Sequence, residues 1–481
     1  MSSSVKADAV FALQRFGMGP RPGSIDAIAA DPRAALLAEL DNPPPYPAAA
    51  SSLPTSAKAF RAVADANARR QAKAIVATRA ETEAGKQQMS AGPAMAEGAA
   101  QGMSEAAQKT AAEAVPDPGR RIYLDEAKLR TEAALNANIG FTERLVWFWS
   151  NHFCISADKI RSMSGGYERE AIRPHVLGSF TDLLLAAESH PAMLFYLDNL
   201  GSMGANSVAG INRSRGLNEN LARESLELHT LGVRSGYTQD DVISFANVLT
   251  GWTLVPPGDN PEHGGEFSFN PRLHEPGAQR VLGKSYEQDG VEQGRAVLRD
   301  LAIHPATATH VASKLARHFI ADTPPQALVD AMTKTFLDTS GDLKEVARTM
   351  VSSPEAWTEP RGKLKRPSEW LISIVRAAGL TQADPERFTG GQALLGEPLW
   401  RPSSPKGFPD DEASWIDGMG RRLDIANTFA ERIAGKVDPE HVIENVLGSC
   451  VAAEVKQAVG RAESRQQALA LLFMSADFQR R

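Results

Sequence analysis

Apolar residues recur at helical spacing along nearly the whole chain and alternate at strand spacing in one place, around Phe267 and Phe269. This pattern constrains the fold more than any motif does. Stripes at helical spacing are buried by packing helix on helix, so the expectation is a mainly α protein, a multi-helix orthogonal bundle. Residues 256–289 are rich in Pro and Gly, and the turn His274-Glu275-Pro276-Gly277 precedes Val281-Leu282-Gly283. They predict a small β-hairpin excursion. The run LLGEPLWRPSSPKGFPDDEASWI predicts an irregular Pro/Trp-rich segment that wraps the core.

Breaks in composition divide the remainder. Residues 1–54 hold short amphipathic helices and end in the connector NPPPYPAAASSLP, where proline stops helix continuation. Residues 55–118 shift to Ala, Glu, Gln, Lys and Arg, which favour helix but leave little to bury. They read as an exposed helical excursion interrupted at Gly92, Pro93 and Gly98. A central helical core spans 119–255, and after the hairpin a C-terminal helical region, 290–481, packs on the same core. No period of about 20 to 50 residues repeats, which excludes a solenoid.

Several function classes fall away on composition. The net charge of −6 and pI near 6.0 argue against a nucleic-acid binder. No run of about 18 apolar residues is present to span a membrane. The two cysteines, Cys154 and Cys450, belong to no Cys-x-x-Cys pair, so zinc ribbons, iron–sulfur clusters and attached c-type haem lack support. The opening MSSSVKADAVFALQRFGMGPRPG does not have the layout of a secretory signal. The expectation is a cytoplasmic protein, or one exported with a partner. Phosphate-binding loops, nucleophile elbows, His-Glu-x-x-His helices and dinucleotide fingerprints are absent.

The most informative stretch is Gly216 to Trp252, GLNENLARESLELHTLGVRSGYTQDDVISFANVLTGW. Leu217, Leu221, Leu228 and Leu231 form a helical seam in which Glu224 fills the missing place, with Glu227 one turn on. Gly232 and Gly236 suit a corner, and Thr238 begins the next helix. Burying a carboxylate is costly unless a cation, metal or hydrogen-bond donor meets it. Glu224 therefore reads either as an ion pair with Arg223, Arg213 or Arg215, or as a ligand or acid/base. In LVWFWSNHF, His152 shares a face with Phe141, Leu145 and Phe148. Helical bundles build metal and cofactor sites from inward carboxylates and imidazoles. Glu224, Glu227 and His152 are thus the candidate catalytic and metal-ligating set. His175, His229, His274 and Trp252 are candidate contacts for a cofactor, a metal ion or a haem, and His318 is a further inward histidine. Glu227 and His229 are two residues apart and point to different sides of a helix. The Glu-x-x-His spacing of di-iron bundles is missing.

The pieces GLNENLARESLELHTLGV, SGYTQDDVISFANVLTGW, TERLVWFWSNHF, HEPGAQRVLG and ASKLARHFIAD, with KGFP and Trp415, resemble the bacterial family of domain of unknown function 1800 over nearly the whole chain. The resemblance implies no settled activity. It does imply members that are often exported and encoded beside a sulfatase-like partner of the family of domain of unknown function 1501. This chain departs from the exported pattern in its opening residues. Two functional classes follow. One is an all-α metal- or haem-dependent enzyme with a His/Glu-lined pocket. The other is a non-catalytic accessory protein that binds the sulfatase-like partner through the hairpin and the Pro/Trp-rich segment.

Overall fold

One continuous apolar core extends from Ala9 to Phe478, and most of the helical stripes end inside it. The computed structural model describes residues 3–89, 117–211, 213, 216–358 and 362–481. The helices that matter here are α1 (Ser56–Met89), α2 (Pro118–Asn136), α3 (Phe141–His152), α4 (Ala157–Tyr167), α5 (Phe180–Ser189), α6 (Asn220–Glu224), α7 (Gln239–Leu249), α8 (Pro305–Phe319) and α9 (Pro367–Ala377). The strands among the described residues form two short antiparallel ladders. β1 (Trp252–Leu254) pairs with β2 (Phe267–Phe269), and β3 (Gln279–Val281) pairs with β4 (Lys284–Tyr286). The protein is mainly α with a small β excursion, as the periodicity predicts, although β1 starts before residue 256.

The Ala-rich excursion begins as α1, which packs on α2 and α4 and leaves Ile75 and Val76 exposed. Its expected breaks at Gly92, Pro93 and Gly98 lie outside the described residues. Helix α3 is buried on nearly every side, and its N-terminus is closed by Glu39, whose carboxylate accepts from Thr142 N at 2.9 Å and Gly140 N at 3.2 Å. An anion there offsets the orphan N–H groups and the positive end of the helix dipole. Rings of Phe16, Phe141 and Phe319 pack α8 against the start of α3.

Two local features depart from the usual rules. Ser189 does not cap the helix that starts at Pro191; its hydroxyl donates to Leu185 O, and His190 Nδ1 instead accepts from Ala192 N at 3.1 Å. The same His-Pro-Ala start recurs at α8, where His304 Nδ1 accepts from Ala306 N at 3.1 Å. An imidazole nitrogen does the work usually given to a serine oxygen.

The second departure concerns the leucine seam. After α6 the chain makes a π-turn, Ser225–His229, which adds a residue to the helical register. Leu221, Leu226 and Leu231 are buried, whereas Leu217 and Leu228 are only partly so. Glu224 consequently sits half-buried at the edge, and His229 points inward. Thr230 closes the turn by donating its hydroxyl to Ser225 O at 2.6 Å. The corner that follows needs glycine: Gly232 has φ +89, and a Cβ there would lie 2.9 Å from His310 Nδ1.

Candidate active site

Helices α3 and α8 run antiparallel, face to face. Their shared face carries Arg144, Phe148 and His152 from α3, and His310, Lys314 and His318 from α8, each set at every fourth residue. Arg144 Nη2 lies 3.5 Å from His318 Nε2, and the His152 and His310 rings are 6.2 Å apart at the other end.

At the His152 end, the π-turn delivers His229 against Glu188, near the end of α5. His229 Nδ1 and Glu188 Oε1 are 2.6 Å apart, and each side chain is only 1% exposed. The second atom of each group, His229 Nε2 and Glu188 Oε2, has no hydrogen-bond partner among the described residues. His152 Nε2 donates to His229 O at 3.1 Å, leaving its Nδ1 unpartnered as well. His310 Nε2 donates to Leu228 O at 3.1 Å. Burial, reinforced by the Lys314 cation, pushes His152 well below the ordinary imidazole range and His310 down to about 4. Both rings are therefore neutral at pH 7.

Lys314 is half-buried and has no hydrogen bond or ion pair among the described residues. Desolvation lowers its ammonium to about 8, with Asp410 and Cys154 pulling the other way. Cys154 is pushed up to about 12 by burial and donates to Pro405 O at 3.2 Å, so it is a packed thiol and not a nucleophile.

Glu224 stands beside this group with no hydrogen bond or ion pair among the described residues. Desolvation raises its carboxyl, and His229 is the strongest influence opposing that rise. Arg223 serves Glu219 at 2.7 Å and Glu227 at 3.7 Å instead. Arg213 is exposed, and Arg215 lies outside the described residues. Glu227 is held in that surface ion pair and bonds the Tyr237 phenol.

The remaining candidates sit elsewhere. His175 closes a short turn, Arg173–His175. His274 Nδ1 meets Thr250 O at 2.9 Å, and its ring stacks edge-on against Phe269. Trp252 is buried in β1 against Phe267 and Gly294, and its carbonyl accepts from Asn199. Among the described residues no three His, Cys, Asp or Glu side chains group to hold a metal ion. The roomy groove of about 980 Å³ between Arg21 and Thr381 contains no His, Cys, Met or Tyr to ligate a haem. That groove therefore offers no axial ligand to a haem.

At the Arg144 end the polar face continues as an ion-pair network. Glu369 on α9 meets Arg144 at 3.0 Å and Arg481 at 2.9 Å. Asp410, from the wrapping segment, accepts from His318 Nδ1 at 2.9 Å and lies 3.6 Å from Arg366. Burial would raise both carboxyls, but the surrounding cations override it. Arg144 and Arg481 take Glu369 down to about 2, while His318 and Arg366 hold Asp410 well below its usual range. Burial brings His318 down to about 4 against the pull of Asp410. Asn151 pins the segment by bonding both the N and the O of Phe408.

The structure thus brings His152, His229 and Glu224 into one neighbourhood and leaves Glu227, His175, His274 and Trp252 apart from its hydrogen bonds. Sequence reasoning missed Glu188, His310, Lys314 and Asp410. The His310, Lys314, His318 stripe was open to discovery, since three polar residues at helical spacing interrupt an otherwise apolar face.

These features define a mainly α protein that closes an imidazole–carboxylate pair inside its helical core. Within that class, the chain belongs to the family described as protein of unknown function (DUF1800), whose model matches residues 11–480. No curated protein and no solved structure matches it.

Proposed function

We propose that this protein is an acid–base enzyme in which His229 is the base, Glu188 orients it and Glu224 is the acid. The observation that carries this reading is the buried pair at 2.6 Å whose imidazole has its second nitrogen, Nε2, unpartnered. A buried imidazole nitrogen left open in this way keeps its hydrogen-bonding capacity for a ligand. Glu188, accepting at Nδ1, holds the tautomer that leaves Nε2 bare, which is how a carboxylate prepares an imidazole for proton abstraction. Glu224, whose carboxyl is raised by desolvation, is suited to return a proton. Half-buried Glu224, beside His229, marks the side from which substrate enters, and His152 and His310 stay neutral next to the Lys314 ammonium. No metal or haem is needed for these roles.

Incubating the full chain with a metabolite extract and with chromogenic ester, phosphoester and glycoside panels tests the reading. Turnover is expected, falling on the order of 10²- to 10⁴-fold in His229→Gln and Glu188→Gln while the fold is retained. No turnover of any substrate, or turnover unchanged in His229→Gln, would overturn it.

One observation favours a second reading, docking of a sulfatase-like partner of the DUF1501 family. Leu394, Ile416 and Leu423, in and beside the Pro/Trp-rich segment, are exposed, and Arg421 ties this region together by donating to Leu394 O at 2.8 Å. Under that reading Leu394→Glu with Leu423→Glu abolishes co-purification with the partner. Unchanged co-purification removes it.

A further inference from the structure

Four lysines among the described residues are buried or half-buried: Lys314, Lys344, Lys363 and Lys365. Three of them are met by a partner. Lys344 pairs with Asp41 at 3.1 Å, Lys363 pairs with Asp322 at 2.7 Å, and Lys365 donates to Phe478 O at 2.6 Å. Lys314 differs from these three in having no hydrogen bond or ion pair among the described residues. Taking an ammonium out of water is costly unless it is paired, so this exception points to a use other than packing.

The setting of Lys314 decides which use. It stands one turn from His310 and one turn from His318, on the face of α8 that packs on α3. His310 faces the His152 ring at 6.2 Å, and His318 faces the Phe148 ring at 5.3 Å. Cys154 feels the charges of both Lys314 and Glu224, so the lysine and the proposed acid border one small region. Asp410, the strongest influence favouring the ammonium, is already held by His318 and Arg366. Desolvation, with Lys406 and Arg317 adding to it, brings Lys314 from 10.5 down to about 8. A lysine kept to bind an anion needs its charge. Here roughly a tenth of the side chain is free amine at pH 7, against about one part in three thousand for an ordinary lysine. A desolvated amine of this kind is a nucleophile toward carbonyl carbon.

We propose that Lys314, the unpaired lysine between two imidazoles of α8, is the covalent partner of this site and holds an aldehyde or ketone substrate as an imine. The amine adds to the carbonyl carbon, and a proton moves from nitrogen to oxygen to give the carbinolamine. Its hydroxyl then leaves as water with a proton from Glu224, and the nitrogen lone pair forms the C=N bond. The nitrogen keeps one hydrogen, so a protonated imine stands beside the Glu224 carboxylate, and nothing is oxidised or reduced. The positive nitrogen makes the adjacent C–H bond acidic. That bond's electron pair becomes a C=C bond, the C=N pair returns to nitrogen, and the proton passes to His229 Nε2. The attachment itself rests on Lys314, whereas the proton steps at Glu224 and His229 rest on the acid–base reading.

The test is reductive trapping in the full wild-type chain. Pyruvate, glyceraldehyde and dihydroxyacetone are each incubated with it in sodium cyanoborohydride, which reduces an imine to a stable secondary amine. Labelled peptides are then mapped by mass spectrometry. With at least one of the three probes, Lys314 should be alkylated at pH 7 at least about tenfold faster than exposed Lys436 and Lys456. That ratio should shrink as pH rises from 8 to 10, where ordinary lysines also become amines. No label on Lys314 with any probe, a rate no higher than that of the exposed lysines, or a ratio unchanged by pH would overturn the proposal. Trapping needs no turnover, so the two readings fail separately. Labelled Lys314 without turnover of any substrate keeps the imine and removes the His229 base, whereas turnover with Lys314 unlabelled removes the imine alone.

Discussion

Lowering the pH should unfold this protein over a window set by its interior histidines. His310 and His318 each have a pKa near 4 in the folded chain, and His152 is also lowered well below its usual range. The unfolded chain takes up these protons from about pH 6.5, so it binds more protons than the native state between roughly 6.5 and 4. The stability from keeping the rings neutral is complete above about 6.5 and drains away as pH falls toward 4. Between pH 7.5 and pH 5 one such ring loses about 2 kcal/mol, since each unit of separation is worth about 1.4 kcal/mol. The His310 and His318 rings together lose about 4 kcal/mol, a large part of the stability of an ordinary domain, and His152 adds to the loss in the same direction. Glu39, Glu126 and Glu224, whose carboxyls are raised by desolvation, run the other way and trim the total. Comparing wild type with His310→Gln isolates one contribution, because the amide can still donate to Leu228 O. Urea unfolding midpoints from pH 7.5 to 5 should fall less steeply in the variant, by about 2 kcal/mol over the range. Parallel slopes in the two proteins, or stability that rises on acidification, would refute the reasoning.

Other consequences follow from the same geometry. Glu188→Ala orphans a buried imidazole and should cost about 3–5 kcal/mol in urea unfolding, whereas Glu188→Gln, which keeps an acceptor, should cost less; equal losses would mean the charge is irrelevant. Gly232→Ala places a side chain at φ +89 and against His310, so a loss of at least about 1–2 kcal/mol is expected, and an unchanged Tm would contradict the close approach. Cys154, buried and with its thiol near 12, should resist iodoacetamide in the folded chain and react once denatured, as mass spectrometry will read. Rapid alkylation of Cys154 at neutral pH would place it outside the core.

Much of the fold was legible because helix burial writes itself into spacing. The Thr238 capping box, the Gly232 corner, the single strand region and the wrapping segment all follow from local rules that hold in this structure. What escaped was set by register and by distance. The π-turn at Ser225–His229 shifts one residue into the helix, so a strict helical template placed Glu224 in the seam and missed Leu226. Glu188 meets His229 across 41 residues of sequence, and Asp410 meets His318 across 92. No local pattern encodes such partners. The histidines before Pro191 and Pro305 were invisible for another reason: a serine is the expected cap, and an imidazole filled the role.

A base at His229 requires the ring to hold its proton toward Glu188 and leave Nε2 bare. Long-range nitrogen-15 spectra of the histidine-labelled chain at neutral pH, assigned by comparison with His229→Gln, read this directly. They should show a protonated Nδ1 in a strong hydrogen bond and an unprotonated Nε2. A proton on Nε2, or an Nδ1 that is not hydrogen-bonded, would contradict the proposed base.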